Sequence, residues 1–119
     1  MATATQPYDQ RDGVIWMNGE FIPWRDARVH LLTHALHYGS AVFEGERVYN
    51  GEIFKLTEHS QRLHESAKGL DFEIPYSVAE IDKATGAITK LTRDRDEARE
   101  QQRATAEIRS AYWIAPSRH

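Results

Sequence analysis

Two hydrophobic periods divide the chain. Val14, Ile15, Trp16 and Met17 form an apolar, β-prone run, and Asn18-Gly19 separates it from Phe21, Ile22 and Trp24. Asn-Gly supplies the two positive-φ positions of a type I′ turn, so this stretch predicts a hairpin. A second hairpin follows: Ala41, Val42 and Phe43 lead through Arg47, Val48 and Tyr49 to Asn50-Gly51, and Ile53, Phe54 and Leu56 continue as the partner strand. That makes four strands before residue 57. Beyond it the period becomes helical. Thr57 is placed to cap a helix with Glu58 in its first turn, Leu63, Ala67 and Leu70 recur at helical spacing, and the helix should end near Gly69. Ser77 and Glu80 have capping-box spacing and open a second helix, whose apolar stripe is Val78, Ile81, Ile88 and Leu91. Gly86 weakens that helix by roughly 1 kcal/mol relative to alanine.

The pattern then fades. From Arg93 to Arg109, ten of seventeen residues are Asp, Glu or Arg, and Ile108 is the one large apolar side chain. Such a stretch buries little; it is either a solvated helix held by opposite charges such as Asp96 and Arg99, or a flexible segment. Ala111, Tyr112, Trp113 and Ile114 read as a short strand before Pro116. The fold class expected is α+β: an antiparallel sheet of two or more hairpins, with the Tyr112 strand as a candidate addition, and two helices packed on one face. Residues 1–12 are expected to be a flexible N-terminus, 13–92 one domain, and 93–119 an atypical charged segment with a short strand. No internal repeat is present.

Composition narrows the chemistry. A chain of 119 residues fits one domain and one core, with roughly 65% of its unfolded surface buried. With 40% hydrophobic and 28% charged residues it is ordinary for a globular protein. The formal charge of −3, with no face rich in Lys and Arg, points away from nucleic acid and from anionic membranes, leaving small molecules as the expected ligands. Cysteine is absent, which removes disulfides and thiol chemistry and suits a reducing compartment. The first twelve residues have neither the basic start nor the apolar stretch of a signal peptide, and no run approaches a membrane span, so a cytoplasmic protein is expected.

His30, His34 and His37 cluster within eight residues, yet the stretch has no cysteine and no acidic ligand before Glu44, so a structural role is favoured over a zinc site. Neither a G-x-S-x-G elbow nor a phosphate-binding glycine loop is present. On a strand, Phe43, Gly45 and Arg47 share one face, where Gly45 leaves room for a ligand; the alternative is a core Phe43, a bulge at Gly45 and an edge charge at Arg47. For Tyr38 the bland alternative to a ligand-facing ring is a half-buried ring with an exposed hydroxyl. Arg62 offers a planar fork of donors suited to a phosphate dianion, or is simply a solvent-facing helix arginine.

The segment VHLLTHALHYGSAVFEGERVY, residues 29–49, with IWMNGEF before it and IFKLTEHSQRLHESAK after it, resembles the branched-chain amino acid aminotransferases among the class IV pyridoxal phosphate enzymes. The likeness covers roughly residues 12–92 and implies the small domain of that fold. It implies pyridoxal 5'-phosphate as cofactor, with Arg62 on its phosphate. It also implies leucine, isoleucine or valine and 2-oxoglutarate as substrates, with Tyr38, Phe43, Gly45 and Arg47 lining the substrate side. Family members assemble as dimers or multiples of them, so a homo-oligomer is expected. D-amino acid aminotransferases and aminodeoxychorismate lyases share the fold and are the alternative enzymes; a non-catalytic orphan domain, with exposed apolar surface, is the alternative of a different class.

In this family the Schiff-base lysine lies in a second, larger domain. Lys55, Lys68, Lys83 and Lys90 match no such motif, so no catalytic residue is assigned and the chain alone is expected to be inactive. The family's Ala-Tyr-x-Arg-Pro pattern meets Ala111, Tyr112, Trp113, Ile114, Ala115 and Pro116 here, with Ile114 where the arginine is expected.

Overall fold

The computed structural model describes residues 6–112, with side chains to residue 105. The first hairpin forms as its turn chemistry requires. Strands β1 (Val14–Met17) and β2 (Glu20–Pro23) pair antiparallel, with Met17 opposite Glu20 and Val14 opposite Pro23. Asn18 and Gly19 carry the two positive φ angles, 52° and 92°. Two short 3-10 turns lie at the open end of this hairpin, Tyr8–Gln10 and Trp24–Asp26, joined by the Trp24 indole N–H donating to the Tyr8 carbonyl. Arg25 donates to the Gln10 carbonyl and pairs with Asp12, both at 3.0 Å.

The chain next makes one helical turn, α1 (His34–His37), and a short hairpin of β3 (Val48–Tyr49) and β4 (Glu52–Ile53). Asn50 and Gly51, at φ 51° and 83°, again form the turn. Ladder pairing is shorter than the sequence suggests. Ala41–Arg47 lies outside the ladder, the Phe54 N–H to Arg47 carbonyl bond of 2.9 Å adds one rung, and Leu56 already opens a helix. The class is α+β as expected, but the hairpins form two separate two-stranded sheets. With strands this short and twenty-four irregular or helical residues between them, the two hairpins do not pair.

Helix α2 (Leu56–Gly69) starts from Lys55, whose left-handed conformation, φ 53°, turns the chain out of β4. Thr57 was expected to cap it. The start has no side-chain cap, because Thr57 sits inside the first turn and its hydroxyl is used elsewhere. The end falls at Gly69 as expected and is closed by a Schellman motif: Phe72 N–H to Ala67 C=O at 3.1 Å and Asp71 N–H to Lys68 C=O at 3.0 Å. Asp71 takes the left-handed position, φ 60°, that glycine fills more often.

Helix α3 (Val78–Tyr112) opens on the expected capping box. The Glu80 carboxylate accepts from the Ser77 N–H at 2.8 Å and from its hydroxyl at 2.7 Å, while the Glu80 N–H donates back at 3.3 Å. Gly86 does not interrupt it, and the charged stretch continues it as a solvated helix. Its charges pair differently from the sequence reading. Asp96 bonds Arg95 at 2.7 Å, whereas Arg99 reaches back to the Asp12 carboxylate at 2.9 Å, because the helix lies along the first hairpin. The strand expected from Ala111 is not formed: Ala111 and Tyr112 end α3, and Trp113, Ile114 and Pro116 lie outside the described residues.

Helix α3 is the spine. The first hairpin rests on it, with Trp16 edge-on to Tyr76 at 4.7 Å, and α2 packs along it. Among the described residues only Ser60, Ala67 and Ala84 are buried. Ser60 and Ala67 are two turns apart on one face of α2, and small side chains there let the helices approach closely. Ile81 and Ile88 of the expected stripe are half-buried, but Leu91 is exposed.

Candidate functional site

Residues 42–47 run beside the first two turns of α2, and their exposure alternates. Val42, Glu44 and Glu46 face inward and are half-buried; Phe43, Gly45 and Arg47 face out. A period of two is the signature of an extended chain, so the shared face expected for Phe43, Gly45 and Arg47 exists without a partner strand.

Inward, Glu44 meets Arg62. The guanidinium donates through Nε to Oε1 at 2.6 Å and through Nη2 to Oε2 at 2.5 Å, a bidentate pair. His59, one turn before Arg62, lies 2.7 Å from the same Oε2 through Nδ1. A carboxylate only accepts, so this shorter contact puts a proton on Nδ1, and the 3.2 Å approach of Arg62 Nη2 to the same nitrogen is then a contact and not a hydrogen bond. The Glu44 side chain keeps 10% of its surface exposed and that of Arg62 keeps 62%, so the carboxylate sits behind and the guanidinium in front. The two bonds from Arg62, then those from His59, hold the Glu44 carboxyl at about 2, well below its ordinary value of 4.5, and raise Arg62 in turn. Among the described residues Nη1 of Arg62 has no hydrogen-bond partner. Glu46 behaves oppositely: burial, together with the Asp82 and Glu44 charges, raises its pKa against a lowering influence from His59, and its Oε2 is buried without a partner. A carboxylate of α3 closes the far side, where Asp82 accepts from Thr57 and Ser60 of α2.

Outward, Phe43 is 87% exposed and, among the described residues other than its two chain neighbours, none has an atom within 4 Å of where a Cβ on Gly45 would stand. Arg47 has no ion-pair partner among the described residues. Tyr38 ends α1; its ring packs edge-on against His34 at 5.2 Å and His37 at 4.8 Å, and is otherwise exposed. The half-buried alternative is not met: the ring's aromatic neighbours among the described residues are the two histidines of its own helical turn. His30 is occupied locally, accepting the Leu32 N–H at 3.0 Å. Among the described residues no group of three or more His, Asp or Glu is placed to hold a metal ion.

Phe43, Gly45 and Arg47 thus come together, and Arg62 stands on the opposite side of the same segment. Glu44, His59 and Asp82 escaped the sequence reading. The first two had a signal: His59 and Arg62 are three apart on one helix face, and Glu44 alternates with Phe43. Asp82 had none, because its partners are on another helix.

The chain belongs to the class IV amino-transferase family: the family's sequence model matches residues 41–118, more than half of the chain. Its relatives carry a more particular name. A probable branched-chain-amino-acid aminotransferase of Rickettsia felis is 51% identical over 82 residues, 69% of this chain and 28% of that protein. The branched-chain-amino-acid aminotransferase of Pseudomonas aeruginosa is 51% identical over 84 residues, 67% of this chain and 27% of that protein. The crystal structure of the Escherichia coli branched-chain amino acid aminotransferase superposes with a TM-score of 0.59 at 46% identity, over 62% of this chain and 26% of that one. The chain therefore spans about a quarter of the length of the relatives it matches. These findings bear out the resemblance and the α+β class. Among the described residues no helix is long and apolar enough to cross a membrane.

Proposed function

We propose that the chain supplies the phosphate-anchoring and substrate-facing part of a pyridoxal phosphate-dependent aminotransferase that moves an amino group between leucine, isoleucine or valine and 2-oxoglutarate. The observation that carries this reading is the division of labour along residues 43–47. Glu44 turns inward to hold Arg62, while Phe43, Gly45 and Arg47 turn outward and are exposed.

The donor set fits the cofactor's phosphate. A guanidinium whose side edge is held by a carboxylate keeps its outer Nη1 edge for a second anion, and the Arg62 side chain is 62% exposed. When bound, pyridoxal phosphate supplies the electron sink that lets bonds at the substrate α-carbon break. The residues of this chain do the rest of the work assigned here. Arg62 binds the phosphate, Phe43 offers an apolar ring to an aliphatic side chain, Gly45 admits it closely, and Arg47 offers a free cation to a carboxylate. Tyr38 belongs at the edge of the same surface. None of Lys55, Lys68, Lys83 and Lys90 is assigned the Schiff base, so the 119 residues alone are not expected to turn leucine over. A cytoplasmic homo-oligomer is the setting the family implies.

Pyridoxamine 5'-phosphate tests the anchor, because its amine forms no Schiff base with lysine and leaves only non-covalent binding. The chain should bind it in preference to pyridoxamine, and Arg62→Ala should abolish the preference, as read by fluorescence titration. Equal affinity for the two compounds, or leucine turnover by the chain alone, would overturn this assignment.

A further inference from the structure

Helix α2 is gripped on two opposite sides. On one, Glu44 holds Arg62 and His59. On the other, the Asp82 carboxylate of α3 accepts from Thr57 Oγ1 through Oδ2 at 2.7 Å and from Ser60 Oγ through Oδ1 at 2.5 Å. Thr57 and Ser60 are three residues apart on one face, and His59 and Arg62 three apart on the other, at about 100° per residue. Two bonds one turn apart fix both the height and the rotation of a helix about its axis, which a single bond does not. Ser60 is 1% exposed, so its hydroxyl has no access to water if Asp82 is lost. The start of α2 has no side-chain cap of its own, and Asp82 supplies a side-chain tether from this turn to α3.

We infer that Asp82 is a positioning residue for the Arg62–Glu44 pair, acting through the first two turns of α2. By setting the rotation of α2, it sets the direction in which the Arg62 guanidinium meets Glu44 and presents its outer edge. Glu46 lies in the same seam, with its buried, unpartnered Oε2 and the Asp82 charge acting on it, so the strip, α2 and α3 converge at this point. The consequence for phosphate rests on the function proposed above; the effect on Arg62 itself does not.

The two are read separately in the full chain. The first readout is the ¹⁵N NMR signal of the Arg62 Nε–H, protected by Glu44 in the parent chain; the second is affinity for pyridoxamine 5'-phosphate. Asp82→Ala, shown to be helical by circular dichroism, should lose the protected Nε–H signal and bind the probe about tenfold more weakly, the worth of roughly one charge-assisted hydrogen bond. Asp82→Asn should keep the signal, since its carbonyl accepts from Ser60 and its amide donates to Thr57. Should Asp82→Ala not fold, the double variant Thr57→Val, Ser60→Ala removes the same two bonds from the other side and should also lose the signal. A folded Asp82→Ala chain with an unchanged Arg62 Nε–H signal overturns the inference, whatever the probe does. If that signal changes but the parent chain shows no preference for the phosphorylated probe, Asp82 keeps its role and the phosphate assignment falls.

Discussion

At the scale of single residues, neighbouring carboxylates two positions apart have opposite electrostatic fates. Glu44 titrates at about 2 in the fold, against an ordinary 4.5. Its ionised form is the one the fold favours, so its contribution is fully present above about 4.5 and is lost as pH falls from there toward 2. Glu46 is raised by burial, so the fold favours its protonated form; that contribution is full below 4.5 and is lost as pH rises through the raised value. Urea unfolding at pH 7 and pH 3 should expose the difference. Glu44→Gln should destabilise the chain at pH 7 and shrink its loss of stability on acidification. Glu46→Gln should stabilise it at pH 7, because a neutral amide removes the buried charge and its repulsion by Asp82 and Glu44. A Glu46→Gln chain weaker than its parent at pH 7 would refute the assignment.

At the scale of elements, local chemistry sets most starts and stops. The capping box at Ser77 and Glu80 satisfies two backbone donors reciprocally, the Ser77 N–H on the Glu80 carboxylate and the Glu80 N–H on the Ser77 hydroxyl, and it opens a helix that then runs through Gly86 and a charged stretch with little apolar cover. Ser77→Ala should therefore cost about 1 kcal/mol and reduce helical circular dichroism at 222 nm measured near the unfolding midpoint. An unchanged midpoint would mean that packing on the first hairpin alone holds the start of α3. Helix α2 is the contrasting case. Its start depends on a left-handed Lys55 and on a carboxylate 25 residues away from Thr57, neither of which a local pattern announces.

At the scale of the whole molecule, the surface is too large for the mass. The chain exposes 10566 Å², where a compact monomer of this mass exposes about 6,600 Å² by the usual scaling. Its radius of gyration is 20.6 Å, against about 13.5 Å for a compact domain. Leu31, Leu36, Tyr38 and Phe43 are all more than half exposed and lie within thirteen residues. Apolar side chains so concentrated are covered by association in most soluble proteins. Light scattering should show mass rising with concentration, and the paired change Leu36→Ser, Phe43→Ser should return the chain toward monomer. A clean monomer at all concentrations would count against a homo-oligomer built on this face.

Much of this was legible in the residues. Asn18-Gly19 and Asn50-Gly51 determine both hairpins, because positive φ at two successive positions is a local steric demand. Ser77 and Glu80 likewise determine the start of α3, and the run from Val29 to Tyr49 announces the family. Tertiary structure decided what depends on distance through space. It kept the hairpins in separate sheets, drew Arg99 from Asp96 to Asp12, carried Ala111 and Tyr112 into a helix, and turned Thr57 from a cap into a donor to Asp82. It also paired Arg62 with Glu44, 18 residues away. Backbone turns are determined by the atoms of two or three neighbours; an ion pair or a helix contact exists only once packing has brought distant segments together.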